Sequence, residues 1–139
     1  MARILVIEDE RHISRLIEVN LDRVGYIVEK AYDGVEGLEK VDSFKPDMII
    51  LDRIMPRMDG MEVMAKLQAD PDLSKIPVIF LTAKGQDQDV FEGWSAGGSV
   101  YLTKPFNPKD LLSFVDRILN APTKDEDEDG YEVEKTYEV

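Results

Sequence analysis

Three short apolar runs, Ile4–Ile7, Met48–Leu51 and Val78–Leu81, constrain this chain more than any other feature of it. None alternates with polar residues, which is the pattern of strands buried on both faces, and such strands belong to parallel sheets covered by helices on each side. Two weaker candidates, Ile27–Ala31 and Ser99–Leu102, bring the set to five. The segments between them carry apolar residues at helical spacing, so strands and helices alternate along the chain.

The first helical segment spaces Ile13, Leu16, Ile17, Leu21 and Val24 and stops at Gly25, a residue suited to the left-handed cap position. The second opens with Asp33 and has Glu36 three positions on, a capping-box pattern, followed by Val35, Leu38 and Val41 on one side. A third follows Gly60 with Met61, Met64 and Leu67. A fourth is expected near Gln86–Ser95, where Val90, Phe91 and Trp94 supply the apolar anchors. The last begins after Pro108 and repeats Leu111, Leu112, Val115, Ile118 and Leu119 up to Pro122. The pattern predicts an α/β fold, a doubly wound (βα)₅ three-layer sandwich around a five-stranded parallel sheet. Ligands of such folds bind at the carboxyl ends of the strands, beside the point where the strand order reverses.

Composition narrows the chemistry. A chain of 139 residues, 43% of them apolar, suits one domain. No apolar run reaches the roughly 18 residues of a membrane span, and the start MARILVIEDE is unlike a signal peptide, so a cytoplasmic protein is expected. With no cysteine and a single histidine, His12, any metal must be held by oxygen. The formal charge is −12, and residues 122–139 account for half of it with eight acids against two lysines. This balance opposes nucleic-acid phosphates and anionic membranes, so neither is an expected partner. Residues 122–139 read as an acidic tail: Lys124–Gly130 has nothing to bury, and Tyr131–Val139 alternates in the manner of a short strand.

The strand ends carry Glu8 and Asp9, then Asp52, then Thr82, and after the fifth run Lys104. Three carboxylates on one rim repel one another unless a hard cation sits among them, and Mg²⁺ suits a site of few carboxylates completed by water. A hydroxyl and an ammonium are poor company for a cation but good company for an anion that shares it, which points to a phosphoryl group.

The acidic pair in IEDE, the run ILDRIMPRMDG, the Thr of FLTAK and the segment YLTKPF stand in the order and spacing of response-regulator receiver domains, and the chain over residues 1–121 resembles that family in its single-domain, chemotaxis-type form. The resemblance implies a flavodoxin-like fold and a phosphoacceptor switch of a two-component phosphorelay. Asp52 corresponds to the phosphoacceptor. Glu8, Asp9, Asp52 and the backbone carbonyl of Ile54 correspond to the Mg²⁺ ligands. Thr82 matches the switch hydroxyl, Lys104 the lysine paired with the phosphoryl oxygens, and Tyr101 the switch aromatic. Lys104-Pro105 matches an X-Pro bond that is usually cis. Such a protein is no enzyme in the ordinary sense, since it catalyses only its own phosphoryl transfer and its own dephosphorylation. The implied partners are a histidine kinase or phosphotransfer protein upstream. Downstream stands a protein target or a second copy, met through the face of the fourth helix, fifth strand and fifth helix.

The sequence departs from the family pattern at Glu8, where Asp is commoner, and at Gly98-Ser99-Val100; Arg53 adds a bulky cation beside the acceptor. Ile54 and Lys84 hold positions that tune phosphoryl lifetime, and an apolar Ile54 cannot orient water, so slow self-dephosphorylation is expected. A phosphatase of the haloacid-dehalogenase type would need an Asp two residues beyond Asp9, where Arg11 stands. A flavin module would need a phosphate loop where Glu8-Asp9-Glu10 would repel it. No output module fits in the residues after Ala121, so a stand-alone receiver is expected.

Overall fold

The structure, a computed structural model, describes residues 1–83 and 100–120. Strands β1 (Arg3–Ile7), β2 (Ile27–Ala31), β3 (Met48–Asp52), β4 (Val78–Ala83) and β5 (Val100–Lys104) form one sheet in the order β2-β1-β3-β4-β5. Every pairing is parallel. The helices are α1 (Arg11–Arg23), α2 (Gly34–Phe44), α3 (Gly60–Ala69) and α4 (Pro108–Leu119), with a 3₁₀ turn at Leu73–Lys75. The expected doubly wound α/β architecture is therefore present, and its strand order reverses between β1 and β3. The helix predicted near Gln86–Ser95, with Trp94, lies outside the described residues, as do Lys84, Gly98, Ser99 and the tail 122–139.

The pleat explains why the strands are apolar throughout. Leu5, Ile7, Ile49, Leu51 and Phe80 point to one side and pack with Val41 of α2 and Val63 and Leu67 of α3. Ile4, Val6, Ile50, Ile79 and Leu81 point to the other and pack with Ile17 and Leu21 of α1 and Leu111 and Val115 of α4. Both faces are thus dry, and a polar residue in the middle of β1, β3 or β4 would be buried on one face or the other.

Several sequence expectations shift. The last three strands run past the apolar runs, so that Thr82 lies inside β4 and Asp52 and Lys104 are the final residues of β3 and β5. Backbone pairing outlasts the hydrophobic pattern because the ladder needs only amides and carbonyls. In α1 the buried positions are Ser14, Ile17 and Leu21, while Leu16 (43% exposed) and Val24 (55%) face solvent. Val24 caps the helix, and Gly25 takes φ +100°, the left-handed conformation expected of it. In α2 the inward residues are Gly34, Gly37 and Val41 in place of Val35. Asp33 accepts from the Glu36 amide at 2.8 Å, but Glu36 Oε1 returns to the Tyr32 amide at 2.7 Å, one residue before the cap. A full capping box forms instead at α3, between Asp59 and Glu62.

Gly60 ties α3 to the sheet at the point where chemistry is expected. Its amide donates to the Arg53 carbonyl at 3.0 Å, and a Cβ there would overlap the Asp52 carbonyl oxygen and meet Arg53 Cα at 3.0 Å. Backbone cannot yield as a side-chain tip can. We expect Gly60→Ala to cost about 2–3 kcal/mol, measured by urea unfolding, and to exceed the cost of Gly37→Ala, where the obstruction is Ile7 Cδ1 at the end of a side chain.

Candidate functional site

The alternation of β1, β3 and β5 carries Glu8, Asp52 and Lys104 to the same side of the sheet at its carboxyl rim, in line with Val6, Ile50 and Leu102 beneath them. Glu8 is held by its amide, which donates to the Ala31 carbonyl at 3.0 Å, and by Oε2, which accepts from the Glu10 amide at 3.0 Å. The Lys104 ammonium lies 3.1 Å from Glu8 Oε1, 3.2 Å from Asp52 Oδ1 and 3.6 Å from Glu10 Oε1. Three strands that are not consecutive in sequence thereby place one cation against three acids.

Burial makes this arrangement electrostatically tense. Glu8 is fully buried and Asp52 is 4% exposed. Burial first, and the neighbouring Glu8 carboxylate second, push the Asp52 carboxyl up to about 8, against the pull of Lys104. For Lys104, burial opposes the charged form, but Asp52 and Glu8 outweigh it and hold the ammonium above its ordinary range. Above an ordinary Asp pKa near 3.8 the unfolded chain releases the Asp52 proton while the cation-free native state keeps it. The stability linked to this group is complete below that value and is lost as pH rises through about 8.

Glu8, Asp9 and Asp52 each offer a carboxylate oxygen, and the three lie within 4.8 Å of one another. Glu8 Oε1 is buried, and the Lys104 ammonium 3.1 Å away, which Glu8 shares with Asp52 and Glu10, is the cation paired with it among the described residues. One ammonium shared among three acids leaves room for a further cation, and an all-oxygen donor set fits a hard divalent one. Beside it opens a cavity of about 470 Å³ whose lining includes Asp9, Glu10, Asp52, Ile54 and Lys104. That space admits a phosphoryl group together with ordered water.

The remaining expected residues fall into two groups. Ile54 lines the cavity and is 56% exposed. Thr82, 2% exposed, and Tyr101 alternate with Phe80 onto the opposite side of the sheet, so Thr82 stands at the same rim without lining the cavity. Tyr101 stacks on Phe80 at 5.2 Å with a 10° interplanar angle, and burial raises its phenol to about 12 against the pull of Arg53. The Lys104-Pro105 bond is cis. Glu10 and Gly60 carry structural parts in the site that sequence reasoning did not assign. Glu10 had a readable signal in its place beside the acidic pair, whereas the contact of Gly60 with Asp52 needs the loop's three-dimensional path.

Known proteins share this fold and sequence pattern. Residues 4–116 match the family model described as the response regulator receiver domain. The chain is 42% identical over 119 residues to the DNA-binding dual master transcriptional regulator RpaA of Synechocystis, covering 86% of this chain and 49% of that protein. It spans about half the length of the curated relatives it matches. Among solved structures it superposes on the Vibrio cholerae chemotaxis protein CheY4 with a TM-score of 0.78 at 34% identity, covering 84% of this chain and 98% of that one. It also superposes on the Mn²⁺-bound form of response regulator Rcp1 with a TM-score of 0.71 at 31% identity, covering 85% and 91%. With the family model spanning nearly all of the described residues, the chain belongs to the response-regulator receiver domain family.

Proposed function

We propose that this chain is a phosphoacceptor switch in which Asp52 takes a phosphoryl group with Mg²⁺ bound by Glu8, Asp9, Asp52 and the Ile54 carbonyl. The observation that carries this reading is the Lys104 ammonium set 3.2 Å from Asp52 Oδ1, at the wall of a cavity that Asp9 and Asp52 also line. An Asp beside a lysine is ready to exchange one anion for another. Rcp1, which is similar in fold, has a Mn²⁺-bound form, which supports a divalent cation here.

The chemistry asked of the protein is modest. A carboxylate oxygen of Asp52 attacks phosphorus in line with the leaving group; a P–N bond to a histidine breaks, or a P–O bond to a carboxylate, and the leaving group keeps the electron pair. When bound, Mg²⁺ supplies charge neutralisation for the carboxylates and the phosphoryl oxygens. Lys104 is the chain's own counter-charge and needs only to move from carboxylate to phosphoryl oxygen. Thr82, one strand over at the same rim, gains an anionic acceptor for its hydroxyl, and Tyr101 shares its side of the sheet, so both respond to the same event. The chain catalyses only its own phosphorylation and its own dephosphorylation.

The same reading makes the upstream partner a histidine kinase or phosphotransfer protein in the cytoplasm. The downstream partner is a protein target or a second copy meeting the face that includes β5 and α4. Among the described residues no helix is long and apolar enough to cross a membrane. The acidic charge of the chain argues against nucleic acid as a ligand of these residues.

Incubation with acetyl phosphate and Mg²⁺ should add one phosphoryl group by intact mass, and the adduct should vanish without Mg²⁺ or in Asp52→Asn. A folded chain that gains no adduct would point instead to a receiver that only binds. The Ile54 side chain offers no polar atom to orient water at the cavity, so the adduct should be long-lived. In Ile54→Asn its loss, followed by mass over time, should speed up several-fold, about 1 kcal/mol of barrier.

A further inference from the structure

The cavity wall holds one carboxylate that lies outside the acidic cluster. Glu10 is the residue before α1 and makes no side-chain cap bond there, so its carboxylate is not committed to the helix. Its Oε1 lies 3.6 Å from Lys104 Nζ and its Oε2 3.7 Å from His12 Nε2, with the side chain half exposed. Glu10 thus stands between solvent and the ammonium that a phosphoryl group needs. It is an anion in the path of an anion.

We propose that Glu10 determines phosphodonor specificity by charge, opposing dianionic acyl phosphates more than donors whose phosphorus is bonded to a protonated nitrogen. This rests on Asp52 being the phosphoacceptor. The carboxylate acts in two ways that share a sign. It competes with the incoming phosphoryl oxygens for Lys104, and it repels the net charge of the donor at the cavity mouth. A donor with a protonated nitrogen brings a positive leaving group, which the same carboxylate attracts. The transfer itself is unaltered: the Asp52 oxygen bonds to phosphorus as the P–O or P–N bond breaks, and acetate or ammonia leaves with the electron pair.

The test compares the natural chain with Glu10→Gln and Glu10→Lys. Each is phosphorylated by acetyl phosphate and by phosphoramidate, whose protonated nitrogen offsets one of its charges, and adduct formation is timed by intact mass. Mg²⁺ is held saturating for each variant, at low and at high ionic strength. Because Glu10 provides no cap bond, neither substitution removes one. The rate with acetyl phosphate should rise in the order Glu, Gln, Lys, by about fivefold at the first step at low salt. The phosphoramidate rate should rise less, and the difference should shrink at high salt. Equal changes with both donors, or no change, would overturn the role of Glu10 while leaving Asp52 as acceptor. Failure of the natural chain to form an adduct with either donor would overturn the phosphoacceptor reading and this one with it.

Discussion

The contact between the Lys104 ammonium and the buried carboxylates of Glu8 and Asp52 is the interaction on which the rest of this structure turns. Buried acids and a cation taken out of water keep an energetic deficit unless their geometry is good and their remaining lone pairs are satisfied, and Asp52 meets part of it by holding its proton up to about pH 8. Among the described residues the Lys104 ammonium is set against Glu8, Glu10 and Asp52 together, so several acids share it. Under the proposed function a divalent cation would offset the remaining negative charge, and a phosphoryl group would then give Lys104 an anion to hold.

The fold exists to hold that imbalance in place. A sheet dry on both faces, clamped by α1 and α4 on one side and α2 and α3 on the other, lets the ends of three strands meet without rearrangement. The close approach of Gly60 to the Asp52 backbone and the Arg53 amide donating to the Leu81 carbonyl at 2.8 Å fix the main chain at Asp52. The same pleat puts Asp52 and Lys104 on one side of the sheet and Thr82 and Tyr101 on the other, with the Phe80–Tyr101 stack one strand's width from the acidic rim.

What the sequence discloses follows from how local each feature is. The five strands, their parallel sense and the gathering of Glu8, Asp9, Asp52 and Lys104 at one rim are legible because burial on two faces leaves a continuous apolar run and the residues that end it. Strand ends are less legible, since backbone pairing continues through Thr82, Thr103 and Lys104 without apolar side chains to mark it. Leu16 and Val24 mislead because apolar residues at helical spacing cover more of α1 than the stripe that meets the sheet. The side of the sheet taken by Thr82 depends on register with Phe80 and Tyr101, and the reach of Glu10 to Lys104 joins the first and last strands. Neither is written in any local spacing.

The most direct test of the charge imbalance is thermal unfolding at pH 6 to 9 with and without Mg²⁺, for the natural chain and Asp52→Asn. Mg²⁺ at about ten times its Kd should raise the natural chain's Tm by about 4–6 °C. Without Mg²⁺ the Asn variant should unfold at a higher temperature than the natural chain, by a margin that widens as pH rises through about 8. The variant should respond little to Mg²⁺. A natural chain indifferent to Mg²⁺, or an Asn variant less stable at every pH, would contradict the account, because the three carboxylates would then be balanced as they stand.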